Sequence, residues 1–128
     1  MDEPNKKGEV SPDADIANAA TSAAKEFPLC TRWKRVSFWA RFKLDGAGTG
    51  QVTLTIITSP DGKKFTTTAE QIHKLNATAA GTVEVISGAL VLDVTGFGSP
   101  LKWTIQNQGG ANITKENCFV MWRAAFDD

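Results

Sequence analysis

The stretch that decides the fold runs from Phe38 to Phe65 and reads FWARFKLDGAGTGQVTLTIITSPDGKKF. Apolar and polar residues alternate on both sides of the glycine-rich segment 46–50, which is the period of a β-strand with one buried face. Residues 59–62, Ser-Pro-Asp-Gly, supply a turn, because proline presets one central position and glycine accepts a positive φ at another. We interpret segment 46–50 as a hairpin bend and expect another strand from Lys63. The stretch therefore predicts antiparallel β-structure.

The same alternation predicts further strands, separated by turn residues. We expect strands at residues 36–44, 52–58, 63–68, 82–86, 89–95, 101–107 and 118–126. The polar residues 70–81 are expected to form a connection, and Trp103 shares the inward phase of Leu101 and Ile105. Seven or eight strands at this spacing are typical of two packed sheets. The sequence therefore predicts an all-β fold, an antiparallel β-sandwich or jelly roll.

The N-terminal residues have a different composition. Residues 1–12 are polar and predict an extended arm, because they hold little apolar surface to bury. The alanine-rich segment 13–26, DADIANAATSAAKE, favours a short helix with Asp13 or Asp15 as its N-cap. Because 128 residues suit one domain, we divide the chain into an N-terminal arm at 1–27 and a β-sandwich domain at 28–128.

The charge balance limits the partners. Fourteen Lys and Arg residues offset fourteen Asp and Glu residues, so the chain has no long-range attraction for a phosphate backbone and we expect no nucleic acid. Residues 1–27 carry six acids and three lysines, a sum of −3, whereas the strand around residues 32–43 is basic. The sequence has no apolar stretch near the ~20 residues of a spanning helix, and its start lacks the apolar core of a signal peptide. We expect no membrane partner.

The chemistry-bearing residues do not form a catalytic pattern. His73 is the single histidine, so a histidine-based triad or zinc site has no second member. The glycines at 46–50 lack the lysine and the following helix that a phosphate loop requires. Two cysteines, Cys30 and Cys118, are expected to be free and partly buried thiols. We therefore expect a protein that is not an enzyme and that has no catalytic residue, no cofactor and no metal.

The tryptophans suggest where a partner binds. Trp39 shares its outward phase with basic residues of the same strand, and outward tryptophans beside arginine are enriched at protein contacts. Such a ring can equally stack on a sugar or be covered by the N-terminal segment. The candidate partner-binding residues are Trp33, Arg35, Trp39, Arg41, Lys43 and Trp122.

Three motifs carry a resemblance: GTGQVTLTIITSPDGKKF at 48–65, LKWTIQNQGGANIT at 101–114 and CFVMWRAAF at 118–126. With them, residues 38–126 resemble small β-sandwich structural proteins of tailed-bacteriophage virions, of the capsid cement or decoration type. The resemblance implies a non-enzymatic virion structural protein that binds and stabilises the shell of the major capsid protein. It further implies a virion location after assembly in the host cytoplasm. The implied partners are the major capsid protein or other virion proteins, through homo-oligomeric or multivalent attachment.

Two alternatives stay open at this point. The first is a component of the neck or tail of the virion. The second is a carbohydrate-binding β-sandwich module that uses Trp39 or Trp122 as a stacking platform.

Overall fold

The computed structural model describes residues 5–27, 35–59, 72–93 and 98–125. Within these ranges the chain forms nine β-strands, one 3-10 turn at Lys115–Asn117 and no α-helix. The strands are β1 (Asn5–Val10), β2 (Lys25–Phe27), β3 (Arg35–Phe42), β4 (Gln51–Ser59), β5 (Ile72–Thr78), β6 (Val85–Ile86), β7 (Leu90–Asp93), β8 (Gly98–Gln108) and β9 (Cys118–Ala125). The predicted all-β antiparallel sandwich is confirmed.

Two antiparallel sheets pack against each other. The five-stranded sheet has the order β1-β9-β3, and both β6 and β7 pair with β3 on its remaining side. The four-stranded sheet has the order β2-β8-β4-β5. Consecutive strands of the chain are therefore often in different sheets, as in other sandwiches with crossing connections.

The core lies between the sheets and is built from every second residue of the long strands. In β3 the even-numbered residues are buried and the odd-numbered ones are not. The largest fully buried side chains include Trp103 of β8 and Phe38 and Phe42 of β3. The inward placement predicted for Trp103 is confirmed. This alternation leaves each sheet with an outer face, and one of these outer faces carries the candidate site.

The predicted hairpin at residues 46–50 is wrong. β3 pairs with β9, β6 and β7, whereas β4 pairs with β5 and β8, so segment 46–50 crosses from one sheet to the other. A Cβ atom on Gly48 or Gly50 would collide with the backbone carbonyl oxygens of Gly109 or Gln108. The glycines therefore allow close backbone approach rather than a tight turn. Alternation reports which face a residue occupies but not which strand lies beside it.

The predicted helix at residues 13–26 is also wrong. Ile16 and Thr21 make isolated bridges with Ile113 and Gln106, and the segment ends in β2. The Ile16 side chain is 2% exposed in the core. Burial of its one large apolar residue and hydrogen bonds to β8 outweigh the helix propensity of alanine, because an isolated helix of this length is only marginally stable. Residues 5–27 thus contribute one strand to each sheet and one side chain to the core.

The predicted count of seven or eight strands is too low for the described residues. β1 and β2 come from the segment predicted as arm and helix, and β5 lies in the predicted connection 70–81. β5 was not predicted because it is an edge strand whose inward residues, such as Leu75 and Ala77, are only partly buried. The strand predicted at 63–68 lies outside the described residues. In the described part of the chain, no helix is long and apolar enough to cross a membrane.

Candidate functional site

The candidate site is the outer face of the five-stranded sheet, which we call the Trp39 face. It comprises the outward side chains of the strands on both sides of β3, as fixed by the strand register and the alternating burial. These are Lys7, Glu9, Arg35, Ser37, Trp39, Arg41, Ile86, Val91, Phe119, Met121 and Arg123.

Apolar side chains cross the middle of this face in two neighbouring rows. In one row Met121 lies opposite Trp39 on one side and Glu9 on the other. In the next row Arg41 lies between Phe119 and Ile86. Directly opposed residues in antiparallel strands have Cβ atoms about 5 Å apart, so the members of each row can contact one another. The result is an aromatic and apolar centre on the surface of the sheet.

Arg41 links these two rows. Its guanidinium carbon lies 4.4 Å from the centroid of the Phe119 ring, within the range of a cation–π interaction. Its Nη2 atom lies 3.6 Å from Oε2 of Glu9 across β9. The Nε atom of Arg41 is buried and has no hydrogen-bond partner among the described residues. The Arg41 side chain is thus held against the sheet by the Phe119 ring and the Glu9 carboxylate.

A hollow of about 580 Å³ adjoins Trp39. It is lined by residues of β1, β3 and β9: Lys7, Gly8, Glu9, Trp39, Met121, Trp122 and Arg123. Lys7 and Arg123 are directly opposed in the β1–β9 pair, so two cations flank the hollow. Together with Arg35 and Arg41 they give the outward strand positions of this face four cations against two acids, Glu9 and Asp93, the latter placed opposite Arg35 by the register.

One edge of the Trp39 face is interrupted by a β-bulge at Gly88 and Ala89, next to Ser87. The backbone N–H of Ser87 donates to the Ala40 carbonyl at 2.9 Å, and the Ser87 hydroxyl accepts from the Ala40 N–H at 2.9 Å. Gly88 and Ala89 together then oppose the single residue Trp39, because the register shifts by one between β6 and β7. Bulges of this type bend edge strands and limit further pairing.

Three exposed apolar side chains lie in or near this edge, two of them in β6 and β7. Val83, Ile86 and Val91 are 66%, 57% and 51% exposed, and they are the exposed large hydrophobic residues of the described chain. Sequence reasoning did not identify this edge. The uncharged run from Val85 to Leu92 is the feature that could have revealed it.

The outer face of the four-stranded sheet has a different character. Its outward positions on β4, β5 and β8 are mainly hydroxyl and amide side chains, including Thr53, Asn76 and Thr104. Thr53 donates to the Asn76 side-chain oxygen at 2.7 Å. This face has no aromatic residue among its described side chains. The two outer surfaces are therefore chemically distinct.

The structure brings together some of the predicted partner-binding residues. Arg35, Trp39 and Arg41 lie on the Trp39 face as their phase predicted. Lys43 follows the end of β3, where its backbone N–H donates to the Asn117 carbonyl at 3.1 Å. Trp33 lies outside the described residues.

Trp122 is placed differently from Trp39. It is 9% exposed and belongs to the core cluster, with the same phase as Val120 and Ala124. Its ring packs against Gly8, so closely that a Cβ on Gly8 would lie 2.8 Å from the ring atom Cζ2. Trp122 borders the hollow but cannot serve as an open stacking platform.

The cysteine and histidine side chains, which are the remaining candidates for catalysis or metal binding, are not grouped together. Cys118 is a free thiol in the core, and burial raises its pKa to about 12. Cys30 lies outside the described residues. His73 lies in β5, opposite Ile56, rather than in a loop. Among the residues that the structure describes, no three His, Cys, Asp or Glu side chains form a group that could hold a metal ion.

Comparisons with known proteins add little to this description. No family model matches the chain, and no curated protein matches it. A solved structure described by the words "Bacillus endospore appendages form a novel family of disulfide-linked pili" matches with a TM-score of 0.38 and 14% sequence identity. The match covers 99% of this chain and 93% of that chain. At this TM-score and identity the likeness does not indicate a shared function.

Proposed function

We propose that this chain is a non-enzymatic structural protein that attaches to a larger protein assembly through its Trp39 face. The observation that carries the proposal is the aromatic and apolar centre of that face, surrounded by charged groups. Protein interfaces are enriched in tryptophan, methionine and arginine at their centres and are polar at their rims. Trp39, Met121 and Arg41 provide these residue types in neighbouring rows.

The rigidity of the site supports the same role. β3 is an interior strand, paired with β9 on one side and with β6 and β7 on the other. Its inward residues Phe38 and Ala40 are buried in the core, so the backbone that carries Trp39 is fixed from below. A side chain on such a backbone loses little conformational freedom when it binds, which favours affinity.

The two outer surfaces of the molecule differ chemically, so one can bind a partner while the other faces water. The Trp39 face is cationic and aromatic, whereas the opposite face presents threonine and amide side chains. A protein that coats a shell needs one surface for the shell and another that stays in water without recruiting further protein. The hydroxyl and amide face fits the second requirement, because it exposes little apolar area.

The finer proposal is a capsid cement or decoration protein that binds the major capsid protein and resides in the virion. Its support is the resemblance of residues 38–126 to small β-sandwich proteins of tailed-bacteriophage virions. The excess of cations on the Trp39 face fits an acidic acceptor surface. Attachment at several equivalent sites would compensate for weak individual contacts through effective concentration. A neck or tail component would use the same face.

Binding to shells of the major capsid protein encoded with this chain tests the proposal. Trp39→Ala should weaken co-sedimentation with the shells by about tenfold or more, because a central tryptophan is a typical interface hot spot. Ile57→Ala, a half-buried outward position on the other sheet, is the matched control and should leave binding unchanged. Equal binding by the wild type and Trp39→Ala would show that the Trp39 face is not the attachment surface.

A carbohydrate-binding module is the second candidate, and the hollow beside Trp39 is the observation that favours it. Sugar rings stack on exposed aromatic faces. The same Trp39→Ala and Ile57→Ala pair on a glycan array separates the two functions. Glycan binding that Trp39→Ala abolishes, with no binding to shells by the wild type, would replace the proposed function with the carbohydrate one.

A further inference from the structure

Two cations, which we call the cation pair, lie directly opposite each other at the hollow beside Trp39. Lys7 of β1 and Arg123 of β9 are opposed in the strand register, and both residues are exposed on the Trp39 face. Like charges that are directly opposed in a sheet destabilise it. Neither Lys7 nor Arg123 makes an ion pair with another described residue. The cation pair therefore lacks a counter-charge within the part of the chain that the structure describes.

The two acids at the outward positions of the Trp39 face each lie beside a different cation. The Glu9 carboxylate lies 3.6 Å from the Arg41 guanidinium across β9, although Glu9 also lines the hollow. Asp93 lies opposite Arg35 in the β3–β7 pair. An anion that comes from outside the chain can therefore neutralise the cation pair without displacing either acid.

An apolar row lies next to the cation pair. Met121 is the next outward residue of β9 after Arg123, and Trp39 lies opposite Met121 on β3. Both Met121 and Trp39 are half-buried, and both line the hollow. Two residues of a strand span about 7 Å, because the rise is ~3.3 Å per residue. The hollow thus has a cationic part and an apolar part that are about 7 Å apart.

We propose that the hollow binds an extended segment of a partner protein in which a carboxylate side chain and a large apolar side chain are two residues apart. Side chains at positions i and i+2 of an extended chain point the same way and are also about 7 Å apart. The carboxylate binds the cation pair, and the apolar side chain packs against Trp39 and Met121. The inference deepens the proposed function, on which the role of this segment in attachment rests.

Charge, spacing and volume favour such a peptide over the carbohydrate alternative. A neutral sugar stacked on Trp39 would leave the cation pair without an anion, whereas lysine and arginine form strong charge-assisted hydrogen bonds with a carboxylate. An acidic sugar carries its carboxylate on the ring itself, closer to the stacked atoms than the ~7 Å between the two parts of the hollow. The volume of about 580 Å³ lies within the range of small-ligand sites, ~300–1,000 Å³, and can take both side chains.

Titration of the isotope-labelled protein with short peptides tests the proposal by nuclear magnetic resonance. The probe is the acetylated and amidated peptide Gly-Gly-Glu-Thr-Phe-Gly-Gly, and the reporter is the indole N–H signal of Trp39, identified by its loss in Trp39→Phe. The dissociation constant should rise about tenfold or more when glutamine replaces the glutamate or serine replaces the phenylalanine. Exchanging the threonine and the phenylalanine puts the two side chains on opposite sides of an extended chain and should weaken binding similarly. Equal binding of all four peptides, or binding of none, would overturn the inference.

Removal of the cation pair gives a variant with a matched control. Lys7→Gln with Arg123→Gln should weaken binding of the glutamate peptide about tenfold or more and leave binding of the glutamine peptide unchanged. Lys74→Gln with Lys115→Gln removes the same charge at two exposed positions outside the hollow and should bind as the wild type does. Circular dichroism and urea unfolding confirm that each variant is folded. If both double variants bind the glutamate peptide equally well, the cation pair does not hold the carboxylate and the inference is wrong.

Two other occupants would give different results, and either would overturn the inference. An oligogalacturonate that binds more tightly than the glutamate peptide would assign the hollow to an acidic glycan. A Trp39 signal that moves in Asp127→Asn with Asp128→Asn, without peptide binding by the wild type, would assign it to the chain's own C-terminus.

Binding to capsid shells separates this inference from the proposed function. Shell binding that Trp39→Ala abolishes and the variant without the cation pair retains would refute the inference and leave the proposed function standing. Binding of the glutamate peptide by a protein that does not bind shells would support the inference and refute attachment to the shell.

Discussion

Asn107 is the buried polar side chain whose loss should most clearly destabilise the sandwich. It lies in β8 with no exposed surface. Its Nδ2 atom donates to the Ile16 carbonyl at 3.1 Å and to the Ala111 carbonyl at 2.8 Å, and its Oδ1 atom accepts from the Gly109 N–H at 2.9 Å. One side chain thus ties the N-terminal segment and the loop after β8 to the four-stranded sheet. Its replacement should loosen both.

The expected cost follows from these three hydrogen bonds. Each contributes about 1 kcal/mol net, so Asn107→Ala should lower the free energy of unfolding by about 3 kcal/mol. The Ile16 carbonyl keeps a second donor, the Ile113 N–H at 2.9 Å, which limits the loss. Domains of this size have a total stability of about 5–15 kcal/mol, so the variant should still fold. Asn107→Asp should cost more, because a buried carboxylate would face two carbonyl oxygens.

Urea unfolding measures this prediction, with Asn76→Ala as the matched control. Asn76 is exposed on β5, and its side-chain oxygen accepts from the Thr53 hydroxyl at 2.7 Å. Its replacement should cost less than about 1 kcal/mol, because water takes the place of the lost bond. The reasoning fails if Asn107→Ala loses less than about 1 kcal/mol, or if Asn76→Ala loses as much as Asn107→Ala.

Two further predictions concern packing and a buried thiol. Gly8→Ala should destabilise the protein by about 1–3 kcal/mol in urea unfolding, because its Cβ would press on the Trp122 ring, whereas Gly88→Ala has open space and should be nearly neutral. Burial raises the pKa of Cys118 from 9.0 to about 12, so with Cys30→Ser in place the folded protein should not react with a thiol reagent at mildly alkaline pH. The same shift should reduce stability as the pH rises from about 9 towards 12, since the unfolded chain releases this proton first. Rapid labelling of the folded Cys30→Ser protein, or stability that does not fall over this pH range, would contradict the burial argument.

The outward position of Trp39 was predictable because the period of β3 is local. Trp39 alternates with Phe38 and Ala40, and one face of a strand must be apolar to reach the core. The apolar residues that lie beside the Trp39 ring were not predictable from a local pattern. Met121 lies 82 positions away in the sequence, and its position beside Trp39 depends on the pairing of β9 with β3. The edge residues Ile86 and Val91 join the same face only through the bulge at Gly88 and Ala89.

The N-terminal segment shows how tertiary contacts override local preference. Residues 13–26 are rich in alanine, yet the segment passes through a turn at residues 18–19, pairs with β8 and ends in β2. Its backbone finds partners that a free helix would not have: the Ala19 and Ser22 N–H groups donate to the carbonyls of Asn107 and Ile105. Long-range hydrogen bonds and the burial of Ile16 decide its conformation, and neither is visible in a local pattern.

The sequence alone determined the all-β class, the inward and outward phase of the long strands and the outward placement of Trp39, because side-chain direction in a strand alternates with every residue. Tertiary structure decided which strands are neighbours, that residues 46–50 cross between sheets and that Trp122 is covered while Trp39 is not. The physical reason is that strand pairing joins residues far apart in the chain, so the neighbours of a side chain depend on the packing of the whole sandwich.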